Sequence, residues 1–81
     1  MKVTVYVRLK GEVLDPQGDA VERALGSLGF AGATTVRVGR YLTLNLEAAS
    51  EGAARAALDE MCGKLLANPI TEDYELKVSG G

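Results

Sequence analysis

Leu9-Lys10-Gly11-Glu12-Val13-Leu14-Asp15-Pro16-Gln17-Gly18 is the stretch over which the chain changes its periodicity. Before it, Val3, Val5, Val7 and Leu9 alternate with Thr4, Tyr6, Arg8 and Lys10. That period of two marks a strand with one buried face. After it, Val21, Ala24, Leu25 and Leu28 recur at the spacing of one helix stripe. Asp15 is placed to accept from the first free N–H groups of that helix, and Pro16 has no N–H to leave unsatisfied. Gly18 in the first turn weakens the helix by about 1 kcal/mol relative to alanine, and a close backbone contact would explain its presence.

Working outward, the first helix runs from Pro16 to about Leu28, with Gly29 placed as a left-handed cap and Phe30 able to fold back onto the last turn. Ala31 to Ala33 form a linker. Thr35 to Val38 predict a second strand, and Gly39-Arg40 a tight turn into a third. In that third strand Leu42, Leu44 and Leu46 alternate with Thr43 and Asn45. Ser50 caps a second helix reaching about Ala67, and Glu51 suits its positive end. Ala54, Leu58, Met61 and Leu65 form its inner stripe, and Asn68-Pro69 stops it. A fourth strand covers Tyr74 to Val78. The order strand, helix, strand, strand, helix, strand predicts an α+β fold in a single domain over residues 1–81. It would be a two-layer ferredoxin-like βαββαβ sandwich, with a four-stranded, mainly antiparallel sheet and two helices on one face.

Composition limits the functions open to such a fold. A chain of 81 residues buries only roughly 60–65% of its unfolded surface, so its core gains from pairing with another chain. Nine Lys plus Arg against eleven Asp plus Glu give a net charge of −2 without blocks of one sign, which argues against nucleic acid or a membrane surface as partner. No apolar run is long enough to span a bilayer, and the chain starts directly in a strand, with no export signal. One cysteine, which cannot form an internal disulfide, fits a reducing cytoplasm.

The usual chemistry of an active site is missing. There is no histidine to act as a general base or metal ligand. Cys62 falls inside a predicted helix with no histidine to activate it, and reads as a small apolar core residue. No paired-cysteine metal motif or phosphate loop occurs. The N-terminus of the first helix could bind a phosphate, but Asp15 and Asp19 would repel it, so capping is the favoured reading. Gly26-Ser27-Leu28-Gly29 matches the glycine spacing of an RNA-binding loop, yet it lies at a helix end without basic flanks. Cofactor, metal and catalytic sites are therefore not expected in this chain.

Two sandwich layers leave one sheet face uncovered. Its outward phase holds Thr4, Tyr6, Arg8, Arg37, Tyr41, Thr43 and Asn45. Tyrosine and arginine are enriched where one protein surface is buried by another, which favours an interface over a solvated face.

Several segments, in order, resemble the PurS family, the small subunits of a three-part phosphoribosylformylglycinamidine synthase. They are Val3 to Leu9, Leu14-Asp15-Pro16-Gln17-Gly18, Ala24-Leu25, Leu28-Gly29-Phe30 and Val36-Arg37-Val38-Gly39-Arg40, followed by Met61-Cys62, Lys64 to Asn68 and Glu72-Asp73-Tyr74. The resemblance implies a subunit without its own active site that associates with itself. It would bridge a glutaminase subunit, PurQ, which releases ammonia, and a large synthetase subunit, PurL. The synthetase uses ATP and magnesium to convert formylglycinamide ribonucleotide into formylglycinamidine ribonucleotide. ATP, magnesium and glutamine would thus be used by the partners. The contact candidates are Tyr6, Arg8, Lys10, Asp15, Arg37, Arg40 and Tyr41, with sheet edges and the outward face used for association. The loop Lys10 to Gly18 and the turn Gly39-Arg40 would face the partners. Two alternatives stay open. One is a ubiquitin-like sulfur carrier using Gly80-Gly81, whose tail would thread into a narrow active site. The other is a small regulatory module binding a metabolite between paired domains.

Overall fold

The alternation at the start of the chain builds β1 (Lys2–Leu9), and Val3, Val5 and Val7 all point into the core. The computed structural model describes residues 1–79. After β1 come α1 (Pro16–Ser27), β2 (Arg40–Asn45), α2 (Glu51–Met61) and β3 (Glu72–Ser79), with a π-helical turn over Cys62–Leu66 continuing α2. β1 lies in the middle of the sheet, antiparallel to β2 on one side and to β3 on the other. In register, Val5 stands opposite Leu42 on β2 and Leu76 on β3, so the three strands present one apolar face.

α2 covers that face. Ala54, Leu58 and Cys62 recur every fourth residue and are fully buried. Leu58 and Cys62 close the core over Val3, Val5 and Val7, with Leu42, Leu44, Leu46, Leu76 and Val78 packed around it. Ser50 caps the helix as expected, its Oγ accepting from the Ala53 amide at 3.1 Å. The helix then widens, and the Ala67 amide donates to the carbonyl of Cys62, five residues back, at 3.0 Å. The extra residue in that turn rotates Leu65 off the predicted inner stripe, leaving it 82% exposed. No helix among the described residues is long and apolar enough to cross a membrane.

The expected four-stranded sheet is corrected to three strands, because Thr35 to Val38 do not join it. The amides that a ladder would use are bonded to α1 instead. The Val36 amide donates to Glu22 Oε1 at 3.0 Å, and the Val38 amide to Asp15 Oδ2 at 2.7 Å. Thr35 turns the chain into this position at φ 56°. With no strand ahead of it, Gly39-Arg40 is not a hairpin turn. Arg40 begins β2, and Gly39 is where the chain meets β1 so closely that a Cβ would stand 2.7 Å from the Val7 carbonyl oxygen.

Two helices stacked on one sheet face are corrected as well. Gly18 is the one buried residue of α1, and no α1 residue belongs to the core cluster. The helix is well formed at both ends. Asp15 Oδ1 accepts from the Gly18 amide at 2.9 Å, and Gly29 closes it at φ 97° with the Phe30 amide donating to the Leu25 carbonyl. Yet α1 and residues 31–38 stand apart from the sheet as an arm. The radius of gyration is 16.1 Å and the extents are 51 × 27 × 14 Å. A compact chain of this length would have a radius near 12 Å.

Candidate partner interface

The seven contact residues expected from sequence fall into two clusters. Tyr6, Arg8 and Tyr41 lie together on the open face of the sheet. Tyr6 and Tyr41 are direct cross-strand neighbours, their rings tilted by 32° with centroids 6.2 Å apart. Lys77 Nζ lies 5.9 Å from the centre of the Tyr6 ring, and Arg8 pairs with Glu75 on β3 at 3.5 Å. Tyr41 is 68% exposed, so this face joins rigid aromatic area with paired charges and remains open to another surface.

Lys10, Asp15 and Arg37 form the second cluster, and their polar groups are engaged within the chain. Asp15 is buried between α1 and residues 36–38, bonded to the amides of Gly18 and Val38. Those two amides, with Arg37 behind them, hold its carboxyl below the usual carboxylate range against the opposing effect of burial. Arg37 donates to the carbonyls of Lys10 at 3.0 Å and Val13 at 2.9 Å, and stands 3.9 Å from Asp15. It therefore holds the loop after β1 against the arm. Lys10 Nζ reaches Asp73 at 2.9 Å, which raises the lysine's affinity for its proton.

Arg40 stands between them. Its guanidinium meets Glu72 at 2.6 and 3.2 Å and donates to the Leu66 carbonyl at 2.7 Å, tying the start of β2 to β3 and to the end of the π-helical turn. Arg40 and the Asn68 amide together hold Glu72 below its ordinary range. A surface hollow of about 250 Å³ lies here, lined by Arg8, Asp15, Gln17, Arg40 and Glu72. Its acids and bases neutralise one another, an arrangement suited to holding elements together. Among the described residues, no group of three or more acidic, cysteine or histidine side chains is placed to hold a metal ion. Cys62 is buried in the core, where desolvation and nearby Asp59 push its thiol up.

Other surfaces were not singled out from the sequence. Leu28 at 73% and Phe30 at 60% are exposed at the far end of the arm, and Leu14 is exposed near its base. Their helix periodicity signals burial without saying against which chain. Leu65, with Ala57, Met61 and Leu66, lines an apolar patch rimmed by the Glu60–Lys64 ion pair. Glu22 carries no sequence signal, since its role as acceptor for Val36 depends on the fold of residues 31–38.

The sequence pattern described as PurS, phosphoribosylformylglycinamidine (FGAM) synthase, matches residues 2–80. The PurS subunit of Bacillus subtilis is 48% identical over 77 residues, covering 95% of this chain and 90% of that one. Its C2 crystal form superposes with a TM-score of 0.89 at 47% identity, covering 98% of both chains. PurS of Methanocaldococcus jannaschii, a subunit of formylglycinamide ribonucleotide amidotransferase, superposes at 0.87 with 41% identity over 96% and 94%. A chain from the PurLQS structure of Thermotoga maritima does so at 0.85 with 30% identity over 94% and 93%. The fold is thus shared with solved PurS chains, and this chain belongs to the PurS family, the small subunit of phosphoribosylformylglycinamidine synthase.

Proposed function

We propose that this chain is the non-catalytic bridging subunit of its synthase, a single domain acting in the cytoplasm in de novo purine biosynthesis. It joins the glutaminase subunit PurQ to the ATP-dependent synthetase subunit PurL and supports the passage of ammonia between them. One observation carries this reading: the chain leaves its own core incomplete. The arm keeps its apolar residues apart from the sheet that α2 covers, so other protein surfaces must bury them. The Thermotoga chain to which it is similar comes from a structure of PurLQS, which supports the same partners here. A further copy of this chain joins them through the sheet edges and the face carrying Tyr6, Arg8 and Tyr41. ATP, magnesium and glutamine are handled by the partner subunits.

The test is glutamine-dependent amidation of formylglycinamide ribonucleotide by PurL and PurQ, with and without this chain. Activity that appears on its addition supports the bridging role, and full activity without it overturns the role. The sulfur-carrier alternative rests on Gly80-Gly81, which lie outside the described residues. Removing both glycines should leave amidation intact, and a thiocarboxylate on Gly81 would revive that alternative.

A further inference from the structure

The base of the arm is a fastening made of three residues, Asp15, Gly18 and Glu22, that join α1 to residues 36–38. Asp15 is the central one. Its two carboxylate oxygens go to different elements, Oδ1 to the Gly18 amide inside α1 and Oδ2 to the Val38 amide in the returning chain. Gly18 lets the two backbones touch, since a Cβ there would run into the Val36 carbonyl oxygen. Glu22, one helical turn further on, takes the Val36 amide. The returning segment is thereby held on α1, and the direction in which α1 leaves the sheet is set by this contact and by Arg37 across the Lys10–Val13 loop. No side chain of the core takes part.

We propose that Asp15 is a positioning residue of the synthase. It fixes the direction of the arm, and so the surface offered to other subunits, without touching those subunits itself. The inference rests on the bridging role. It alters how the Leu9–Gly18 run is understood, because the ordered Asp15-Pro16-Gln17-Gly18 sequence then specifies an angle between two parts of the molecule as well as a helix start. Asparagine at position 15 can still accept from Gly18, but its amide nitrogen cannot accept from Val38. Alanine at Gly18 favours helix and keeps the Asp15 carboxylate chemically unchanged, yet its Cβ would crowd the Val36 carbonyl oxygen and Asp15 Oδ2, forcing residues 36–38 off the helix. Two chemically different substitutions should therefore have one consequence.

The experiment uses the full chain with PurL and PurQ, titrating wild type, Asp15→Asn and Gly18→Ala into the amidation reaction. Amide hydrogen exchange is followed on each chain alone. Both variants should need at least tenfold more chain to reach half-maximal activity and then approach the wild-type maximum. The amides of Val36 and Val38 should exchange at least tenfold faster, while those of β1 keep their protection. Val36 and Val38 freed with an unchanged titration would overturn the positioning role. Unchanged exchange at Val36 and Val38 would overturn the fastening itself. Loss of β1 protection in the variants would also overturn it, because Asp15 would then hold the whole fold. A wild-type chain that fails to support amidation sinks the bridging role and with it the positioning of subunits, while the exchange data still judge the fastening.

Discussion

The sheet with α2 and the arm with α1 are amphipathic by the same rules and end in opposite states. In the sheet, every second residue of β1 is apolar, and α2 supplies a matching row, so Val3, Val5, Val7, Leu58 and Cys62 all lose contact with water. In the arm, Val21, Leu25 and Leu28 make a stripe of similar strength, but Val21 and Leu28 stay exposed. What differs is the glue. The sheet is held by apolar contact, whereas the arm is held by carboxylates on backbone amides at its base. An amphipathic pattern therefore says that a surface will be buried, and leaves open whether its own chain does the burying.

The sharpest way to break the comparison is to cut the better-packed half. Leu58→Ala removes the largest fully buried side chain, so unfolding free energy should fall by about 2–5 kcal/mol, measured by chemical denaturation at fixed chain concentration. A fall below about 1 kcal/mol would mean that the core yields easily, and that the two halves differ less than their burial suggests.

Acid should loosen the two halves in sequence. Asp15 and Glu72 both have folded values below the ordinary carboxylate range, the first through the Gly18 and Val38 amides, the second through Arg40. A carboxyl depressed on folding contributes stability that is fully present above its unfolded value, near 4, and is lost as the pH falls through the folded value. The chain should thus keep its full stability down to about pH 5 and lose it progressively below about pH 4. Asp15→Asn should flatten part of that slope. Arm amides should lose protection on acidification before those of β1 do, which hydrogen exchange at about pH 5 and pH 3, each scaled to the unfolded-chain rate at that pH, would check.

Arg40→Ala is expected to have a smaller effect, on the order of 1 kcal/mol, because half of the side chain is exposed and its charge screened. The substitution still releases Glu72 and the Leu66 carbonyl, so it perturbs the fold as well as any interface. Tyr41→Ala removes a largely exposed ring that pairs with Tyr6. Amidation titrations that weaken for Tyr41→Ala at unchanged denaturation midpoint would place a partner on the open sheet face. Equal titrations for wild type and Tyr41→Ala would remove that face from the interface.

Sequence alone reached the parts governed by local rules. The period of two in Val3 to Leu9, the Asp15 and Ser50 caps, the Gly29 left-handed end and the apolar burial of Cys62 each depend on neighbours within a few residues. The family resemblance rested on the order and spacing of short runs over nearly the whole chain, among them Leu14 to Gly18 and Lys64 to Asn68. Besides the placement of α1, two features escaped, the first decided by residues distant in sequence and the second by the form of the helix end. Val36 and Val38 alternate like strand residues, but Asp15 and Glu22 take their amides first. Leu65 keeps the spacing of a buried residue, but the π turn begun at Cys62 rotates it out. Asp15, Arg37 and Arg40 were named from the sequence as partner contacts. Their polar groups are engaged within the chain by partners far away in sequence, such as Val38 for Asp15 and Glu72 for Arg40.

The smallest expected change in stability is the most discriminating. Val21→Ser and Leu28→Ser alter exposed positions on the arm, so each should shift unfolding free energy by no more than about 0.5 kcal/mol. Both should nonetheless raise the concentration at which the chain self-associates or enters the reconstituted synthase, read by sedimentation across a dilution series. The opposite result is equally informative. A large loss of stability with unchanged association would mean that in solution α1 folds back onto its own sheet, so that one chain completes its own core. An effect on association alone ties the elongated shape to its purpose: the stripe on α1 is then the missing half of a core that only another chain can supply.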